Sequence, residues 1–156
     1  MTIAAVPPDH PKQILLFFIV SDLDQTIRSE MRNFVQGLAD VRSWTLGPPC
    51  FVDDREEPQD TSKGDMPIET VGGYLEIYTA LPPWSLAREV DLQHLHEVET
   101  LVARLCDFSR RAGLEIECKL DGKFVGAITN GEMDSCLSIG LLGEWRRVIE
   151  ATLPEG

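Results

Sequence analysis

His94 and His96 are the residues best suited to hold a metal, and their spacing works against it. Two positions apart on a helix, their side chains diverge by about 200°. His94-Leu95-His96-Glu97 is not the H-E-x-x-H arrangement that carries a catalytic zinc. Cys50, Cys106, Cys118 and Cys136 include no C-x-x-C pair, which argues against a structural zinc site. The acidic run Asp53, Asp54, Glu56, Glu57 and Asp60 lacks the glycine and terminal glutamate of a calcium loop. No metal is expected.

Covalent and phosphate chemistry fare no better. No G-x-S-x-G supplies a serine nucleophile. Cys136, beside Ser135 and just before a helix, is the thiol that a helix dipole would activate, but no histidine lies near it in sequence. Gly72-Gly73 enters a strand and reads as a bulge or bend rather than a phosphate cradle. Gly140 and Gly143 flank Leu141-Leu142 without the Lys-Ser or Lys-Thr of a phosphate loop. Paired carboxylates are abundant because 26 of the 156 residues are acidic, so no pair stands out for acid–base work. The expectation is a protein with no catalytic residue and no cofactor.

Charge excludes more. Twenty-six acidic residues against 14 basic leave a net charge of −12, a field that repels nucleic-acid phosphates. With 43% hydrophobic residues the chain is neither disordered nor a multi-span membrane protein. The apolar run 14–20 is too short to span a bilayer. It is preceded by Pro7, Pro8, Asp9 and Pro11 and followed by Ser21-Asp22-Leu23-Asp24, which is not a secretory signal. A cytoplasmic chain with reduced thiols is expected.

The elements that would position these residues follow from hydrophobic periodicity. Residues 1–12 read as a loose leader, and 13–153 as a single α+β domain. Gln13 to Val20 is a strand, apolar on both faces and therefore central. Ser21 suits a helix N-cap, before a stripe of Leu23, Ile27, Met31, Phe34 and Leu38. Val41 to Leu46 suits a second strand, and 53–65 a mobile acidic loop. Val71 to Leu81 alternates as a half-buried strand. Asp91 opens a helix with the stripe Leu92, Leu95, Val98, Val102, Leu105 and Phe108, closed by Gly113. Leu114–Leu120 and Lys123–Thr129 form a hairpin through Asp121-Gly122, and a last helix spans about 138–151. This order predicts an antiparallel sheet with helices on one face: a ferredoxin-like split βαβ core extended by a C-terminal hairpin and helix.

The face opposite those helices would carry Tyr74, Glu76, Tyr78, Glu115, Glu117 and one side of the first strand. An apolar, aromatic strip edged by carboxylates suits a protein partner, with aromatic anchors and acidic steering groups. Trp84 and Trp44 would add to it.

The stretch 121–147, DGKFVGAITNGEMDSCLSIGLLGEWRR, has the look of small bacterial proteins. In general character the chain resembles small acidic bacterial immunity proteins, which bind and silence a cognate toxin. That resemblance is one of class and carries no functional residue across. It implies a non-enzymatic inhibitor of a basic partner protein, a toxin or nuclease. Asp53, Asp54, Glu56, Glu57 and Asp60 would then attract the partner, and Tyr74, Glu76, Tyr78 and Trp84 would contact it. The competing readings are a small enzyme or ligand-binding domain with a pocket between sheet and helices, and a homodimer sealed through the same face.

Overall fold

The computed structural model describes residues 12–20, 22–56, 68–78 and 88–151. Its strands are β1 (Gln13–Ile19), β2 (Cys50–Glu56), β3 (Ile68–Ile77), β4 (Glu115–Leu120), β5 (Lys123–Thr129) and β6 (Glu132–Met133). Its helices are α1 (Gln25–Leu38), α2 (Arg88–Ala112) and α3 (Glu144–Ala151), the last preceded by a π-helical segment, Cys136–Gly143. The six strands form one sheet in the order β2-β3-β1-β4-β5-β6, antiparallel at every junction. Because β3 lies antiparallel between β1 and β2, those two run in the same direction, joined through α1. That is the split βαβ arrangement, α+β in class and ferredoxin-like, with β5, β6 and the last helical segments added beyond β4.

Register sorts the side chains. Leu15, Phe17 and Ile19 stand opposite Leu120, Cys118 and Ile116 of β4, and all six are buried. Leu75 and Ile77 of β3 and Ile128 of β5 join the same face. Met31, Val35 and Leu38 of α1 and Leu95, Val98, Val102 and Leu105 of α2 cover it, in one continuous core. Each such side chain contributes about 1.5–3 kcal/mol on leaving water. The Phe34 and Phe108 rings, stacked 4.6 Å apart, join the two helices. Among the described residues no helix is long and apolar enough to cross a membrane.

Glycine is required at the sheet's centre. A Cβ on Gly72 would lie 1.9 Å from the Phe17 carbonyl oxygen, and one on Gly73 2.7 Å from the Phe17 ring. The pair thus lets β3 and the Phe17 ring come together. Farther along, Gly126 (φ +152) lets Leu137 of the π-helical segment settle on β5, where a Cβ would come within 2.4 Å of its own. Leu137, Leu141, Trp145 and Ile149, four residues apart, then bury that whole C-terminal stretch.

Several expected boundaries move. Val41 to Leu46 is not a strand. Trp44 Nε1 donates to the Leu38 carbonyl (2.9 Å), and the Thr45 amide and hydroxyl donate to Glu97 (3.1 and 2.5 Å), which folds the segment around the end of α1. The strand comes after Gly47-Pro48-Pro49, so Asp53, Asp54 and Glu56 belong to β2 rather than to a loop. An acidic strand is tolerable there because Arg28 bridges Asp53 and Glu69, both at 2.6 Å. Helix α1 is capped by Asp24, whose carboxylate accepts from the Ile27 amide at 2.7 Å; Ser21 lies outside the described residues. Asp91 does not open α2 but is buried within it, accepting from Trp145 Nε1 at 2.6 Å. The last helical stretch starts at Cys136, and Asn130-Gly131, both at positive φ, turns the chain into the unforeseen β6.

Candidate binding face

With every described helix on one side, the even-numbered residues of β1 point away from the core. Ile14 and Val20 are 45% and 43% exposed, and Leu16 and Phe18 between them are half-buried. Tyr74 and Lys119 stand beside Leu16 on the neighbouring strands; Gly72 and Glu117 stand beside Phe18. One strand further out, Cys50 and Val52 continue these rows on β2, and Phe124 and Ala127 on β5. Phe124 is 51% exposed. The result is an apolar band running across five strands.

Carboxylates edge it. Glu76 flanks Ile14 and pairs with Lys12 at 3.8 Å. Glu117 lies beside Phe18, and Glu115 accepts from the Thr129 hydroxyl at 3.2 Å. Lys119 Nζ lies over the Phe18 ring, 5.4 Å from its centroid. The Tyr74 hydroxyl is raised above its ordinary value, first by a hydrogen bond with Cys50, then by charge on Cys50, burial and Glu76. It therefore remains a neutral phenol at any physiological pH. A hollow of about 200 Å³ lined by Leu46, Pro48, Pro49, Cys50, Tyr74 and Glu76 opens at one corner of the band.

Of the residues expected here from sequence, Tyr74, Glu76, Glu115 and Glu117 do share this face. Tyr78 does not. One residue past β3, its ring meets the buried His94 of α2 edge-on at 5.6 Å, on the helix-covered side. Trp44 also packs against the core, with Arg42 over its ring. The acidic run is divided by strand alternation. Asp54 is in register with Thr70 on the open side, whereas Asp53 turns toward Arg28 of α1. Glu56 ends β2; Glu57, Asp60 and Trp84 lie outside the described residues.

Sequence reading did not pick out Phe124 or Lys119. The signal was available: the Asp121-Gly122 turn fixes the β4–β5 register, and that register puts Phe124 opposite Lys119. It did not foresee that Asp91, His94 and Glu97 of α2, set at one-turn spacing, are buried. Asp91 ties down Trp145 of α3, and Glu97 ties down Thr45, so both act as anchors for flanking segments.

Chemistry elsewhere is sparse. Among the described residues no group of three His, Cys, Asp or Glu side chains could hold a metal ion. All four cysteines are free thiols. Burial, then the nearby Asp134, pushes Cys118 up to about 12. Cys136 opens on an apolar groove lined by Leu120, Phe124, Val125, Gly140 and Leu141, none of which is a base. A wider groove of about 570 Å³ lies between α1 and α2 on their outer side, lined by Glu30, Asn33, Phe34, Phe108, Arg111 and Ala112. No protein-family model, curated protein or solved structure matches this chain.

Proposed function

We propose that this chain is a non-enzymatic binding protein of the immunity type, a cytoplasmic inhibitor that holds a basic partner protein, a toxin or nuclease, against the open face of its sheet. The observation that carries this reading is the open-face band of exposed Ile14, Val20 and Phe124 and half-buried Leu16 and Phe18, with Glu76, Glu115 and Glu117 along it. Soluble proteins rarely leave such a band bare unless it meets something. Aromatic and aliphatic side chains at its middle suit desolvated anchors, and the carboxylates suit steering and register.

Size and charge point to a basic occupant. Five strands at about 4.8 Å spacing and about 3.3 Å per residue give a face of roughly 500 Å². A stable interface buries about 800 Å² per partner, so contact must extend onto the acidic rim. Two copies of a chain of net charge −12 would meet like charge there, whereas a basic partner meets its complement.

The test is a pull-down analysed for strongly basic proteins, comparing wild type with Phe18→Asp. The variant should remain folded by circular dichroism, because Phe18 is off the core face, and should lose the complex. A complex that survives Phe18→Asp, or a small ligand retained in native mass spectrometry in place of a protein, overturns the proposal.

A further inference from the structure

We infer that Lys119 is a resident stand-in for the partner's cation, seated on the Phe18 ring until an arginine of the partner displaces it. This rests on the open face being the docking surface and adds which side chain of the partner enters it.

The seat is built at the centre of the sheet. Phe18 lies on β1, with Gly72 beside it on β3 and Glu117 beside it on β4. Gly72 contributes no side chain, so the ring is open toward β3. On the other side it has a carboxylate as its direct cross-strand neighbour. A cation over an aromatic face with a carboxylate at the edge is doubly favoured. In the free protein that place is taken by Lys119, diagonal to Phe18 across the β1–β4 junction, with Nζ 5.4 Å from the ring centroid. At the end of β1 a second lysine of the open face, Lys12, lies 3.8 Å from the Glu76 carboxylate.

The choice of residue matters. The chain has ten arginines and four lysines, yet both of these self-paired cations on the open face are lysines. An ammonium is a compact, strongly hydrated charge on a flexible stem and leaves easily. A guanidinium is planar and weakly hydrated, stacks on a ring, and bonds a carboxylate through two N–H groups at once. Exchange of Lys119 for a partner's arginine therefore runs in the favourable direction, whereas exchange for a lysine gains nothing. The resident lysine thus discriminates among cations, and it keeps the ring covered when no partner is present.

The experiment is a titration of isotope-labelled full-length protein with short oligoarginine and oligolysine peptides of equal length, followed by two-dimensional NMR. Lys119→Met is compared with Lys123→Met, which removes the same charge from an exposed position at the start of β5. Oligoarginine should perturb the Leu16, Phe18 and Glu117 amides. Lys119→Met should bind it about two- to five-fold tighter than Lys123→Met does, the range expected for one exposed cation–π contact. In a Phe18→Leu background that difference should vanish. Equal affinities of Lys119→Met and Lys123→Met, or equal responses to the two peptides, overturn the stand-in while leaving the docking face intact. Perturbations confined to acidic residues elsewhere, with β1 silent, overturn both.

Discussion

Ile14 and Leu15 are chain neighbours that alternate to opposite faces of β1, and replacing each by alanine tests whether one of those faces is bare. Leu15 is 1% exposed and packed in the core; Ile14 is 45% exposed. Removing about three methyl or methylene groups from a fully buried site forfeits about 2.4 kcal/mol of transfer free energy at ~0.8 kcal/mol each. The unfilled cavity adds to this, so Leu15→Ala should cost about 3.5 kcal/mol, within the observed range of about 2–5. At Ile14 roughly half of that surface is already wet and solvent fills the vacated space, so the cost should be about 1 kcal/mol. Urea denaturation followed by tryptophan fluorescence reads both, with the buried Trp145 as a reporter. The slope should stay constant while the midpoints separate. At about 2–4 °C per kcal/mol for a chain this size, the melting temperatures should fall by about 10 °C and about 3 °C. Equal costs at the two positions would refute the reasoning, because Ile14 would then be covered and the face would not be available to a partner.

Three further outcomes are expected. Glu115→Gln with Glu117→Gln should slow association with the basic partner and flatten its salt dependence in stopped-flow measurements, whereas Asp53→Asn, already neutralised by Arg28, should leave the on-rate unchanged and lower stability by about 0.5–1 kcal/mol. Gly126→Ala should cost about 3 kcal/mol or more in urea unfolding, since its Cβ would strike the Leu137 backbone as well as its side chain and the residue sits at φ +152; a loss below about 1 kcal/mol would contradict that packing. With a thiol reagent at pH 8, the exposed Cys50 and Cys136 should react first. Cys118 should react only on unfolding, because a thiol raised to about 12 holds almost no thiolate at that pH; rapid native labelling of Cys118 would contradict its burial.

The parts of the fold that were legible in the sequence are those where local chemistry and tertiary packing agree. The alternation of Ile116, Cys118 and Leu120 and the Asp121-Gly122 turn specify the β4–β5 hairpin, and both turn residues do have positive φ. The stripe along α2 and the αL position of Gly113 are equally plain. What was hidden depends on partners distant in sequence. Trp44 and Thr45 look like strand residues until Leu38 and Glu97 take their hydrogen bonds. Asp53 and Asp54 look like loop residues until Arg28 neutralises one and β3 pairs both. The open face was half legible. Parity along β1 and β4 identified Glu115 and Glu117, but Tyr78 escapes parity because β3 ends just before it. A turned residue at a strand end answers to its nearest helix, here through His94.

The glycine pair of β3 has a consequence for descent. At Gly72 and Gly73 the obstacles to any side chain include main-chain atoms, which no compensating change nearby can shrink. Every descendant that keeps this architecture must keep that bare stretch. Elsewhere on the open face, Ile14, Val20 and Phe124 are exposed and can change at much lower cost to the fold. The molecule therefore joins a frozen chassis to a mutable front, whose side chains can change without disturbing what holds the sheet together.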